Sequence, residues 1–191
     1  MALGAIGSDG YKLMAILHIL ATVVGIGAVF LNGVYGAQAK ARKGPEGLAI
    51  AEANLRVTLI AEWLIYTIPI TGIILVLMSD DVIEFDQTWI WLSIVLYVVA
   101  LGISHGVAIP TAKRMQVLMR ELNAMGPPPG AGGPGGAPGA GGPGGAPGGP
   151  PPQVAALAAL GKKIGAAGAA LNLLTVVLIV LMVWKPGGPG L

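Results

Sequence analysis

The chain contains no cysteine. That absence excludes disulfides, thiolate zinc sites, iron–sulfur ligation and thioether attachment of haem, and it leaves the redox compartment open. Charge is also scarce. Lys, Arg, Asp and Glu make up 10% of the residues, where a soluble domain has roughly a quarter. Against this, 54% of residues are hydrophobic and the mean hydropathy is +0.78. Such a chain cannot be a soluble globular domain and reads as an integral membrane protein. There is no Walker loop, dinucleotide fingerprint, H-E-x-x-H or Gly-x-Ser-x-Gly. The net charge of +2 is not gathered on one solvated basic domain, so no nucleic-acid partner is expected. The partner that composition names is the lipid bilayer.

What is present is four apolar segments, Tyr11–Gly36, Val57–Ser79, Thr88–Pro110 and Ile164–Trp184. Each reaches the roughly 20 residues that a helix needs to cross a bilayer. The predicted fold is all-α, a four-helix membrane bundle. Lys40, Arg42, Lys43, Arg56, Lys113, Arg114, Arg120, Lys162 and Lys163 flank the first and third connections, nine of the 11 cations. Lys12 and Lys185 lie on the other side, with the acidic turn Asp80, Asp81, Glu84 and Asp86. The positive-inside rule then puts both long connections in the cytoplasm and both termini outside it. Ala37-Gln38-Ala39 resembles a signal-peptidase site, but the apolar run before it is too long and its leader carries Asp9 with one lysine. The first segment is expected to remain as a span.

Three regions follow: residues 1–125 with three spans and a cytoplasmic extension of the third, a linker at 126–152, and the fourth span with a short tail at 153–191. Every linker residue is Gly, Pro or Ala, and "AGGPGGAPG" occurs twice in tandem, at Ala131–Gly139 and Ala140–Gly148. Glycine does not recur at every third position, so collagen is excluded. With no large apolar side chain to offset ordering entropy, the linker is expected to be a disordered cytoplasmic loop.

Small and polar residues at helical spacing in a span usually face other helices. Each span has such a stripe: His18, Thr22, Gly25, Asn32 and Gly36; Thr58, Glu62, Tyr66, Pro69 and Gly72; Ser93, Tyr97, Ala100, Ser104 and Ala108 with His105 beside them; Gly161, Gly165, Gly168, Asn172 and Thr175. Packing accounts for most of these. Ionisable residues inside spans are rarer and mark function more often. Glu62 lies six residues from Arg56, and His105 five from Pro110, so both sit about 8–9 Å inside the cytoplasmic face at 1.5 Å per residue. A Glu62–His105 pair sharing a proton is expected, with Tyr66 as neighbour and Asn32 and Asn172 approaching the same layer. His18 is near the opposite face, about 14 Å away along the bundle axis. The two histidines therefore cannot ligate one metal together, and no metal site is firmly defined. Trp63, Trp89, Trp91 and Trp184 sit near span ends and read as interface anchors.

The segments "LHILATVVGIGA", "AEWLIYTIPITG" and "WIWLSIVLYVVALG" resemble bacterial membrane proteins of the domain-of-unknown-function 2269 family over about Tyr11–Met115. The matching residues are His18, Ala61-Glu62-Trp63, Pro69, Thr71-Gly72, Trp89 and Trp91. The acid is Glu where Asp is commoner, and "SHGVAIP" stands where relatives often have Trp-Leu-Pro. The resemblance implies a multi-pass protein of the bacterial plasma membrane. The "LHI" start is also similar to copper-resistance protein D and to HemJ-type proteins, which implies by analogy a haem- or copper-related role for His18. The expected functions are thus a redox protein with His18 or His105 as ligand of a b-type haem and Glu62 handling protons, or a non-catalytic scaffold holding a membrane-protein partner. A small transporter is weaker, since four spans would need a homo-oligomer to enclose a path.

Overall fold

The computed structural model describes residues 5–42, 44–125 and 152–188. The low-complexity linker lies outside them, except Pro152, which opens the last helix. The helices are α1 (Asp9–Ala41), α2 (Pro45–Leu77), α3 (Thr88–Ile103), α4 (Ile109–Ala124) and α5 (Pro152–Trp184). A π-helical turn, Ser104–Ala108, joins α3 to α4, so these two form one span of 37 residues. Among the described residues, four helices are long and apolar enough to cross a membrane, as composition predicts.

Local chemistry sets the ends. Ser8 caps α1 by accepting the Tyr11 N–H, which satisfies one of the donors that a helix start leaves unpaired. Pro45 occupies the first position of α2, where its missing N–H costs nothing. Gly44 turns the chain there at φ 72°, and a Cβ on Gly47 would overlap the Arg42 carbonyl oxygen. Between α2 and α3, Ser79 is fully buried; its hydroxyl lies 2.7 Å from the Val76 carbonyl and accepts the Ile83 N–H at 3.0 Å. Asp80 and Asp81 follow with positive φ, a region that Asp tolerates better than most residues.

The bundle is a square. Helix α1 packs on α2, α2 on α4, the third span on α5, and α5 returns to α1. The α1–α2 pair is tightest: Ala21 and Gly25 of α1 and Ala61 of α2 are buried, and a Cβ on Gly25 would stand 3.0 Å from Ile65 Cγ1. Small residues at this crossing let two backbones approach, the usual basis of helix pairing in lipid. At the acidic-turn end, Trp89, Ile90 and Leu181 are buried together. Trp89, expected as an interface anchor, is instead a core residue; its Nε1–H donates to Gln87 and Lys185 lies 5.8 Å from the ring centre. Trp63 and Trp184 are exposed as expected. The fourth-helix stripe needs correction. Ala167 and Thr175 are buried, but a Cβ on Gly161, Gly165 or Gly168 would meet nothing within 4 Å.

Two prolines shape the middle spans. Pro69 has no N–H to give the Ile65 carbonyl, and a carbonyl left bare in hydrocarbon is costly. The Tyr97 hydroxyl crosses from α3 and donates to it at 3.2 Å. Tyr97→Phe should therefore destabilise the protein by about 0.6–1 kcal/mol, the usual range for an interhelical bond in a membrane. In a Pro69→Ala background, whose restored N–H serves the same carbonyl, Tyr97→Phe should cost almost nothing. Equal cost in both backgrounds, measured by unfolding in detergent, would refute this account.

Candidate functional site

Pro110 is the second proline. It removes a donor from the helical ladder and crowds the preceding turn. The turn before it widens, with the Ile109 N–H bonding to the Ser104 carbonyl five residues back rather than four. Extra residues of this kind re-aim side chains and recur at functional sites. Here the widened turn contains His105.

The His105 ring is fully engaged. Nδ1 lies 3.0 Å from the Leu101 carbonyl, which can only accept, so Nδ1 carries a hydrogen. Nε2 lies 2.8 Å from Glu62 Oε1 and 2.6 Å from the Tyr66 hydroxyl. A neutral ring in this tautomer has a lone pair at Nε2, and an ionised carboxylate would face it with another. The 2.8 Å contact is a hydrogen bond only if one proton lies between the two atoms. That proton sits on Glu62 or on His105. Either way the pair is neutral overall, the cheapest state for two ionisable groups in a membrane.

Aromatic rings complete the cluster. Tyr66 stacks on His105 with centroids 6.1 Å apart, and Trp63 meets Tyr66 edge-on at 6.2 Å. The cluster joins α2 to the third span between two other links, the packing of α2 on α4 and the Tyr97–Ile65 bond from α3. Glu62 is 16% exposed, His105 46% and Trp63 75%. The cluster therefore lies on the flank of the bundle, between α2 and the π-helical turn, rather than on the bundle axis.

The other expected members are elsewhere. Asn32 pairs with Thr58, 2.9 Å away and one helical turn from Glu62. Asn172 Oδ1 is buried on α5 and makes no hydrogen bond among the described residues. His18 contacts α2 near its far end, with Nδ1 2.9 Å from Thr71 Oγ1. Thr71 is nine residues from Glu62, about 14 Å along the helix, so the histidines are as far apart as the sequence implies.

The Thr71 hydroxyl lies 2.8 Å from the Thr67 carbonyl and 3.0 Å from that of Ile68. Its one hydrogen is directed to them, so its oxygen accepts from His18 Nδ1–H. This assigns the tautomer and leaves the Nε2 lone pair for a ligand. Gly72 makes room, since a Cβ there would stand 3.3 Å from His18 Cε1. His18 thus fits a single axial ligand held by a partner at its other nitrogen, the usual support for a metal-bound imidazole. His105, with both nitrogens taken, does not fit that role. Among the described residues no three His, Asp or Glu side chains gather as a metal-binding group.

Thr71, Tyr97 and the Leu101 carbonyl were not singled out as site partners by spacing. Pro69 four residues after Ile65, and Pro110 after His105, were the signals for two of them.

Residues 12–129, more than half of the chain, match the family described as "Predicted integral membrane protein (DUF2269)". No curated protein and no solved structure matches the chain. The protein belongs to the domain-of-unknown-function 2269 family of integral membrane proteins.

Proposed function

We propose that this protein handles protons inside the bilayer, at the Glu62–His105–Tyr66 cluster, in a redox- or haem-related role. The observation that carries the reading is the 2.8 Å contact between His105 Nε2 and Glu62 Oε1, which holds one proton between two groups able to carry it. A purely structural lock would not need to open toward the membrane, whereas His105 is nearly half exposed. His18 is the residue suited to an axial ligand of a b-type haem, through its Nε2 lone pair. Bound there, a haem would supply one-electron transfer. His18's share of the work is to present that lone pair in a fixed direction.

Infrared spectroscopy tests the proton. A carboxyl or imidazolium band lost in Glu62→Gln should shift within seconds of transfer into D2O, while helix amides exchange slowly. A band that exchanges as slowly as the amides would make the pair a structural lock. The reading also places the protein in the bacterial plasma membrane with both termini outside the cytoplasm, on the strength of the basic connections. Reporter fusions at Gly44 and after Leu191 should report opposite compartments. The same compartment at both would overturn that orientation.

A second reading, a scaffold for a membrane-protein partner, is favoured by one observation. Gly33 and Gly36 on α1 and Gly161 and Gly165 on α5 leave open strips on the bundle surface, of the kind that helices of another chain occupy.

A further inference from the structure

We propose that the end of the bundle with the basic connections seats the head group of an anionic phospholipid, held by Lys113 and Arg114 on α4 and by Lys162 and Lys163 on α5. The proposal is independent of the Glu62 cluster. Its first support is the pairing of charges. At the acidic-turn end both cations have partners: Lys12 lies 3.3 Å from Asp9, and Lys185 stands over the Trp89 ring. At the basic end Arg120 pairs with Glu52 at 2.7 Å. Arg56, Lys113, Arg114, Lys162 and Lys163 are all exposed, and none of them meets a carboxylate among the described residues.

Outside the apolar runs, depth separates these five from the acids of the same end. Arg56 and Lys163 directly adjoin apolar runs, and Lys113 is three residues beyond Pro110. Glu46, Glu52 and Glu121 lie farther out along the same helices, by about 6 to 15 Å at 1.5 Å per residue. Among the described residues, the edge of the apolar spans therefore carries positive charge alone. A soluble acidic partner approaching from the end meets those acids first. A phospholipid approaches from the side, with its phosphate level with the cations and its chains along the apolar spans.

Two neighbouring helices concentrate the charge. α4 and α5 bring two cations each and pack on one another. Their heights also agree. Trp89 and Leu181 share one buried cluster. Lys113 is 24 residues from Trp89 and Lys163 is 18 from Leu181, about 36 and 27 Å at 1.5 Å per residue. With helix axes about 8–10 Å apart, the four long side chains are within reach of one head group. A zwitterionic lipid carries its own cation beside the phosphate and has no net charge to hold; an anionic lipid does.

The test is native mass spectrometry of the full chain, in mild detergent, with equimolar phosphatidylglycerol and phosphatidylcholine of the same acyl chains. Each cation near an anionic surface favours it roughly fivefold, so phosphatidylglycerol should be retained about tenfold or more over phosphatidylcholine. Lys113→Gln with Arg114→Gln, and separately Lys162→Gln with Lys163→Gln, should each cut that preference about tenfold. Lys12→Gln with Lys185→Gln removes as much charge from the other end and should leave the preference unchanged. Thermal melts establish that each variant is folded. Equal retention of the two lipids overturns the proposal, as does a preference that survives both basic-end variants or falls equally in the Lys12 and Lys185 control. Displacement of the lipid by glycerol phosphate or by polyglutamate also overturns it, and assigns the cations to a free phosphate or to an acidic protein.

Discussion

Glu62→Leu is expected to destabilise the folded protein by about 3 kcal/mol, and adding His105→Leu is expected to recover most of that loss. Removing one partner of a buried ionisable pair strands the other, at about 3–5 kcal/mol, while replacing both with apolar residues is often neutral or better. The lower end applies because His105 keeps the Leu101 carbonyl and can reach Tyr66 without Glu62. Recovery should be incomplete, since the Tyr66 hydroxyl then loses its acceptor. Glu62→Gln retains a hydrogen-bonding side chain of the same shape and should cost far less than Glu62→Leu. Reversible unfolding in detergent is the measurement. If Glu62→Leu alone is neutral, or the double variant is no more stable than the single, the pair is not coupled and the proton between Nε2 and Oε1 is not there.

That pairing was legible in the sequence along one coordinate only. Counting residues from Arg56 and from Pro110 gives depth, because helix rise is constant and the basic residues mark the membrane face. Glu62 and His105 fall in one layer by that count, and the structure joins them. Angle around the helix axis is a different matter. An α-helical wheel assumes 100° per residue, and the widened turn at Ser104–Ala108 breaks that assumption at the position that matters. Spacing sets His105 beside its stripe and Glu62 within the inward stripe of α2, whereas the pair forms on the flank of the bundle, with His105 nearly half exposed.

The same limit explains other differences. Gly36 of α1 stands open, but Gly25 of α1 and Gly72 of α2 do meet the neighbouring helix of the same chain, as their stripes predict. The glycines of α5 have the same pattern and do not. Nothing in a small-residue stripe says whether its partner is in this chain or elsewhere. Asn172 was grouped with Glu62 by depth and polarity, yet it sits on a helix that meets the other flank of the third span. Trp89 reads as an interface anchor from its position near a span end, but Leu181 of α5 shares its buried cluster and Val76 and Ile83 pack against that cluster, which one-dimensional position cannot show.

His18 is the second place where a large effect is expected. Gly72→Val should push the His18 ring out of register, because the first added carbon already stands 3.3 Å from Cε1 and the branch adds two more. Forcing extra carbons into a packed contact costs about 1–3 kcal/mol, and here it separates α1 from α2 at the end away from the basic connections. Thr71→Val should cost less and do something different: it removes the oxygen that accepts from Nδ1, so the ring is no longer held in one tautomer. Nitrogen-15 spectra of the His18 ring should show the hydrogen on Nδ1 in the parent protein and a mixed population in Thr71→Val. If the protein purifies with a b-type haem, the Soret band should be lost in His18→Ala and in Gly72→Val, and kept in His105→Leu, whose ring nitrogens are already taken in the parent. A Soret band that survives His18→Ala but not His105→Leu would reverse the assignment. A hydrogen found on Nε2 in the parent would undo it at the root, since the lone pair would then point at Thr71 and none would be left for iron.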